Sequence, residues 1–168
     1  MKKAIPILFI FFVIYALTNK EEILIPDYAI RFRIIANSNS VEDQELKMTI
    51  KEDLDNVLTP LMSDAKTSKE AIEILENNMD MIDNIVDKYG VVHTISLGQN
   101  YFPEKEYEGV TIPSGNYESL VITLGSGLGD NWWCVMFPPL CLLEAKDNNT
   151  ENIEYKFLVQ EILEKYTS

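Results

Sequence analysis

The chain has 168 residues, 46% of them hydrophobic and 24% charged, and 27 acidic against 14 basic side chains leave a formal net charge of -13. That is enough apolar material for one globular domain with appendages. The acidic balance argues against nucleic-acid phosphates and anionic lipid headgroups as partners, since both would be repelled.

Residues 1–18 differ in kind from the rest. A basic start, Met1-Lys2-Lys3, precedes Ala4–Leu17, AIPILFIFFVIYAL, which carries no charge. As a helix this segment reaches about 21 Å, short of the roughly 30 Å hydrocarbon core of a bilayer. It reads as a signal peptide or a short membrane anchor. The nearest small-x-small pattern is Ala16-Leu17-Thr18, so cleavage and retention both stand open. Either way Lys2 and Lys3 remain cytoplasmic, the rest is exported, and membrane contact is confined to residues 4–17. Without the two lysines the exported part carries -15.

Residues 19–28 read as a linker. Tyr28–Ala36, YAIRFRIIA, alternates as a half-buried strand, with Ile30, Phe32 and Ile34 on one face and Arg31, Arg33 and Ile35 on the other. The turn cluster Asn37-Ser38-Asn39-Ser40 follows. Ser40 is a natural N-cap, with Asp43 three positions on and Glu42 and Glu45 nearby to complement the helix dipole. Leu46, Ile50, Leu54, Val57 and Leu61 form one apolar stripe, and Pro60 ends or kinks the helix. A second helix starts at Thr67, with Glu70 completing a capping box, and Ile72, Leu75, Met79, Ile82, Val86 and Tyr89 as its buried stripe. Gly90 is the residue that ends it.

Val91–Leu97 and Tyr117–Leu124 read as strands, the latter after the turn Pro113–Asn116. Gly125–Asn131, GSGLGDN, reads as a flexible loop. Residues 145–168 are a polar linker and an amphipathic helix. The expected fold is therefore α+β: a mostly antiparallel sheet with two long helices on one face, preceded by the N-terminal export or anchor helix. The antiparallel expectation rests on the lack of helices between successive strands in the second half. The domain occupies residues 29–144.

The chemistry is sparse. His93 is the one histidine, and its strand neighbours Val91, Ile95 and Leu97 make it a hydrogen-bonded core residue more readily than a ligand. Cys134 and Cys141 lack CxxC spacing, so no metal site is expected. No GxSxG elbow is present, and a cysteine nucleophile would need His93. GSGLG lacks the lysine and following helix of a phosphate loop. No cofactor and no catalytic set are expected.

One segment stands out. Gly129–Cys141, GDNWWCVMFPPLC, holds both tryptophans and both cysteines. As a strand, Trp132, Cys134 and Met136 share one face, and Trp133, Val135 and Phe137 the other. Both faces are apolar. The strand is covered on both sides, or it shows an aromatic face to a partner. Pro138-Pro139 stop it. Export permits a Cys134–Cys141 disulfide, closing a loop of about eight residues worth roughly 2.5 kcal/mol; two buried thiols are the alternative.

From about Ile30 to about Glu144 the chain resembles the stage II sporulation protein R family, in Ile30–Lys47 (IRFRIIANSNSVEDQELK), Tyr101–Pro103 (YFP), Pro113–Leu120 (PSGNYESL) and Asn131–Cys141 (NWWCVMFPPLC). That family often has His where this chain has Arg33 and Asp where it has Asn39, which weakens imidazole or carboxylate roles at those positions. The resemblance implies signalling rather than catalysis. Such a protein is made in the forespore and exported into the space between the forespore and mother-cell membranes. There it activates a membrane-embedded aspartic protease of the mother cell, which removes the pro-sequence of sigma-E. On this reading Trp132, Trp133, Phe137 and Pro139 are the expected partner surface, with Arg31, Arg33 and Asn37 as second choices. The alternatives are an exported cell-wall hydrolase using a carboxylate pair and a purely structural extracytoplasmic module.

Overall fold

The structure, a computed structural model, describes residues 21–22, 26–107 and 110–139. The expected leader and C-terminal helix lie outside the described residues. Within them no helix is long and apolar enough to cross a membrane.

The order is β1 (Glu21–Glu22), β2 (Ile30–Ile35), α1 (Val41–Ser63), α2 (Ser68–Asn77), α3 (Met79–Asp87), β3 (His93–Phe102), β4 (Lys105–Tyr107), β5 (Val110–Ile112), β6 (Gly115–Leu124) and β7 (Asn131–Phe137). The chain divides into two compact units. Of the described residues, the smaller holds 21–22, 102–107 and 110–115. Its described sheet has the order β1-β5-β4, with β4 and β5 antiparallel and β1 parallel to β5. None of these three short strands was legible in the sequence, and β1 falls inside the expected linker.

The larger unit holds a sheet of order β3-β6-β2-β7. It is mixed rather than mostly antiparallel: β2 pairs antiparallel with β7 and parallel with β6. The absence of helices between successive strands predicts antiparallel pairs, but β2 and β6 are neighbours in the sheet without being successive in the chain. A parallel pair needs a long connection, and the three helices and β3 supply one between β2 and β6. β2 is therefore central. Ile30, Phe32, Ile34 and Ala36 are fully buried on one side, and Arg31 and Ile35 are buried on the other. It is not the half-buried strand that its alternation suggests.

The helices pack on one face. Ile50, Leu54, Leu58 and Met62 of α1, with Leu75, Ile82, Ile85 and Val86 of α2 and α3, join Phe32, Ile34, Leu120, Ile122 and Phe137 in one core. Ser40 caps α1 as expected, accepting from the Asp43 N–H at 3.1 Å. Pro60 lies within the last turn, and α1 runs on to Ser63. Thr67 caps α2, accepting from the Glu70 N–H. The expected second long helix is two helices, divided at Asn78, whose backbone leaves helical geometry at φ -114°. Its side-chain Nδ2 donates to the Ile74 carbonyl at 2.7 Å. Such a short amide competes for backbone groups, which is why asparagine interrupts helices readily.

Candidate interaction surface

The aromatic strand β7 divides its side chains between the two faces of the sheet. Opposite β2, Trp132 pairs with Ile34 and Cys134 with Phe32, while Trp133 pairs with Arg33 and Val135 with Arg31. Paired residues share a face. Trp132 thus points to the helices, meeting the Phe32 ring edge-on at 5.5 Å, with the Lys51 ammonium 5.0 Å from its own ring. Trp133 points away from the helices.

A bulge between Ile30 and Arg31 brings Phe137 opposite Ile30, and Phe137 is buried at 1% exposure. Without the bulge Phe137 would follow Trp133 and Val135. With it, Phe137 joins the core. The Phe137–Pro138 peptide bond is cis, and Pro139 is half-buried.

On the sheet face away from the helices the cations and rings interleave. The Arg31 guanidinium lies 4.5 Å from the Tyr117 ring centre and 5.2 Å from that of Trp133. Arg33 lies 5.5 Å from the Trp133 ring and donates through Nη1 to the Tyr101 carbonyl at 3.3 Å. Planar guanidinium groups stack on aromatic faces, where the ring quadrupole attracts them. Burial pushes Arg31 down to about 10; neighbouring Arg33 works in the same direction and Tyr117 against it. It stays charged at neutral pH. Burial also lowers Arg33.

Asn37 lies at the end of β2, beside the loop that follows β6. Its Nδ2 donates to the Asp43 carboxylate at 2.8 Å, and its Oδ1 accepts from the Ser126 N–H at 2.9 Å. The Gly129 N–H donates to the Ala36 carbonyl and the Leu128 N–H to the Asn37 carbonyl. Asn39 Oδ1 accepts from the Asp130 N–H at 2.6 Å. Gly125 has φ +55°, and a Cβ there would collide with the Asn37 amide. The glycine segment expected to be flexible is pinned along its length. Lys47, only 5% exposed, donates to Gln44 Oε1 at 2.6 Å and to the Asp130 carbonyl at 3.0 Å.

His93 is held as its sequence context suggests. Nε2 meets Asp83 Oδ1 at 2.9 Å and Nδ1 meets the Val91 carbonyl at 3.1 Å, with Asp87 at 3.9 Å. Cys134 is in a disulfide. The chain has one other cysteine, Cys141, which lies outside the described residues.

These elements define an α+β domain whose sheet carries a cation–aromatic face opposite its helices. A family model described as stage II sporulation protein R matches residues 26–147. Stage II sporulation protein R of Bacillus subtilis (strain 168) is 36% identical over 162 residues, covering 90% of this chain and 72% of that protein. No solved structure matches the chain. The chain belongs to the stage II sporulation protein R family, and its role is in sporulation.

Of the residues expected to form a partner surface, the fold brings Trp133, Arg31 and Arg33 together on one sheet face. It sends Trp132 and Phe137 to the other side. Asn37 is engaged between two loops. Tyr117, the ring nearest Arg31, is not among those expected residues. Its signal was its odd register with Ser119 and Val121 in β6, which only the β2–β6 pairing relates to Arg31.

Proposed function

We propose that this protein is an exported signal of sporulation. It is made in the forespore and delivered to the space between the forespore and mother-cell membranes. There it activates a membrane-embedded aspartic protease of the mother cell, which removes the pro-sequence of sigma-E. It works by binding rather than by catalysis. The observation that carries this reading is the 36% identity across 90% of the chain to stage II sporulation protein R.

Two features support it. The apolar segment Ala4–Leu17 behind two lysines has the character of an export signal or anchor. The disulfide at Cys134 suits an oxidising compartment outside the cytoplasm. Activation by binding requires the chain to bind the active protease state more tightly than the inactive one, because equal affinity for both would shift nothing. The sheet face of Arg33 and Trp133, partly exposed above the buried Arg31, is the surface we assign to this contact.

The test adds the purified exported domain to membranes holding the protease and its pro-sigma-E substrate. Processing that depends on the added domain is the expected result. Release of fragments from purified peptidoglycan by the domain alone, with no effect on processing, would replace this reading with that of a wall hydrolase.

A further inference from the structure

At the loop end of the larger unit the chain orders a segment around side chains that bury little. Leu128 is 82% exposed, at the tip of the loop that follows β6. That loop is bonded on both sides of Leu128: Gly127 N–H to the Leu124 carbonyl, Ser126 N–H to Asn37 Oδ1, Gly129 N–H to the Ala36 carbonyl and Asp130 N–H to Asn39 Oδ1. The Leu128 N–H itself donates to the Asn37 carbonyl.

Three more exposed apolar residues belong to the same end. Val92 is 79% exposed, and its carbonyl accepts from the Gly125 N–H. Val41, 67% exposed, opens α1 directly after the Ser40 cap; Met48, 44% exposed, lies one heptad along the same helix face. An isolated exposed leucine is ordinary. A leucine held on a pinned loop beside two exposed valines is a preorganised anchor, because little ordering entropy remains to be lost when it binds.

Charge decides the partner. The exposed charges on the loops at 37–40 and 125–130 and on the first two turns of α1 are Glu42, Glu45 and Asp130, while near Val92 the exposed Asp87 and Lys88 offset each other. Lys47, in the second turn of α1, is buried against Gln44 and the Asp130 carbonyl. Anionic lipid would be repelled by this rim, and so would a second copy presenting the same acidic end.

We propose that the end formed by Val41, Val92 and Leu128 is a docking surface for a protein that offers an apolar socket flanked by lysine or arginine side chains. This rests on the reading that the chain acts by engaging a membrane-held partner. It adds a contact distinct from the Trp133 face.

The test measures binding of the fluorescently labelled exported domain to membrane vesicles from sporulating host cells, with protein-free liposomes of the same lipids as reference, and pro-sigma-E processing in the same samples. Leu128 buries little, so Leu128→Ser should keep the wild-type melting temperature. It should weaken saturable binding by about tenfold or more. Glu45→Lys should weaken binding at low salt and lose most of its effect at high salt. Val41→Ser provides a second apolar probe.

Loss of both binding and processing in Leu128→Ser supports the docking surface and the activator reading together. Loss of binding where wild type binds but triggers no processing supports the surface and overturns the activator reading. Wild-type binding and processing that Leu128→Ser and Val41→Ser leave unchanged overturn the surface alone. Leu128-dependent binding to protein-free liposomes, Leu128-dependent self-association in sedimentation, or no saturable binding at all would each overturn the surface.

Discussion

Asn37 and Ser126, 89 residues apart in the chain, are joined by hydrogen bonds from the Ser126 N–H to Asn37 Oδ1 and from Ser126 Oγ to the Asn37 carbonyl, both at 2.9 Å. The same asparagine donates to Asp43 at the start of α1. One side chain thus ties together the end of β2, the first turn of α1 and the loop after β6. Asn37→Ala would leave the Ser126 N–H and the Asp43 carboxylate each short of a partner, and we expect a loss of about 1–3 kcal/mol in urea denaturation. Asn37→Asp should be worse than Asn37→Ala at neutral pH, because two carboxylates would then face each other. Equal stability of the two variants would show that the amide donor is not what Asp43 requires.

Asp43 and His93 set opposite pH limits. Hydrogen bonds from Ser38, then from Asn37, hold the Asp43 carboxyl below its ordinary range. Its contribution is present above the unfolded value near pH 4 and is lost as pH falls through the folded value. Asp43→Asn should flatten the acid limb of the stability profile.

For His93 burial, the largest single effect, lowers the pKa, but the Val91 carbonyl, Asp83 and Asp87 together raise it above the ordinary value. Both ring nitrogens face acceptors, which only the imidazolium satisfies with two donors. The stabilisation is full below about pH 6.5 and fades as pH rises through the higher folded value. NMR titration should place the folded midpoint above 6.5, and Asp83→Asn should bring it down. An unshifted midpoint would remove this account of the histidine.

The two tryptophans should respond differently to truncation. Phe137→Ala removes a buried ring from the core and should cost about 3–5 kcal/mol, and Trp132→Ala should approach that range. Trp133→Ala, on the opposite face, should leave a folded protein that fails to trigger sigma-E processing. Arg31→Lys should weaken both, since an ammonium cannot stack on Tyr117 and Trp133 as a planar guanidinium does. Normal signalling by a folded Trp133→Ala would exclude the Trp133 face as the contact.

The disulfide at Cys134 should be found between Cys134 and Cys141, the two cysteines of the chain. Mass spectrometry of proteolytic peptides under non-reducing conditions reads this directly. Reduction should lower stability by about 2.5 kcal/mol if the loop closes over about eight residues. Recovery of alkylated Cys134 from the non-reduced, exported protein would refute the bridge.

Much of the fold was legible where local rules act alone. Ser40 and Thr67 are caps because their hydroxyls accept from N–H groups three residues on, a contact written within four residues of sequence. The stripe through Ile50 and Leu54 is buried as its spacing requires. The break at Asn78 was hidden because the apolar spacing continues across it. The resemblance to the family was carried by residues in the sequence itself, above all Asn131–Cys141, and the comparisons agree.

The site was less legible. Alternation assigned Trp132 and Trp133 to opposite faces correctly, since that needs only the two-residue period of a strand. Alternation also put Phe137 with Trp133. The bulge reverses this: Met136 is an extra residue of β7 opposite the step from Ile30 to Arg31, and an extra residue shows only in the register with the partner strand.

The sequence by itself determined the acidic character, the export-like start, the capped helices and the family. Each of these is a property of composition or of residues close together in the chain. Tertiary structure alone decided that β2 lies between a parallel and an antiparallel neighbour, that Arg31 stacks on Tyr117 and Trp133, and that Asn37 reaches Ser126. These contacts join residues tens of positions apart, and strand order and register, which no local pattern encodes, bring them together.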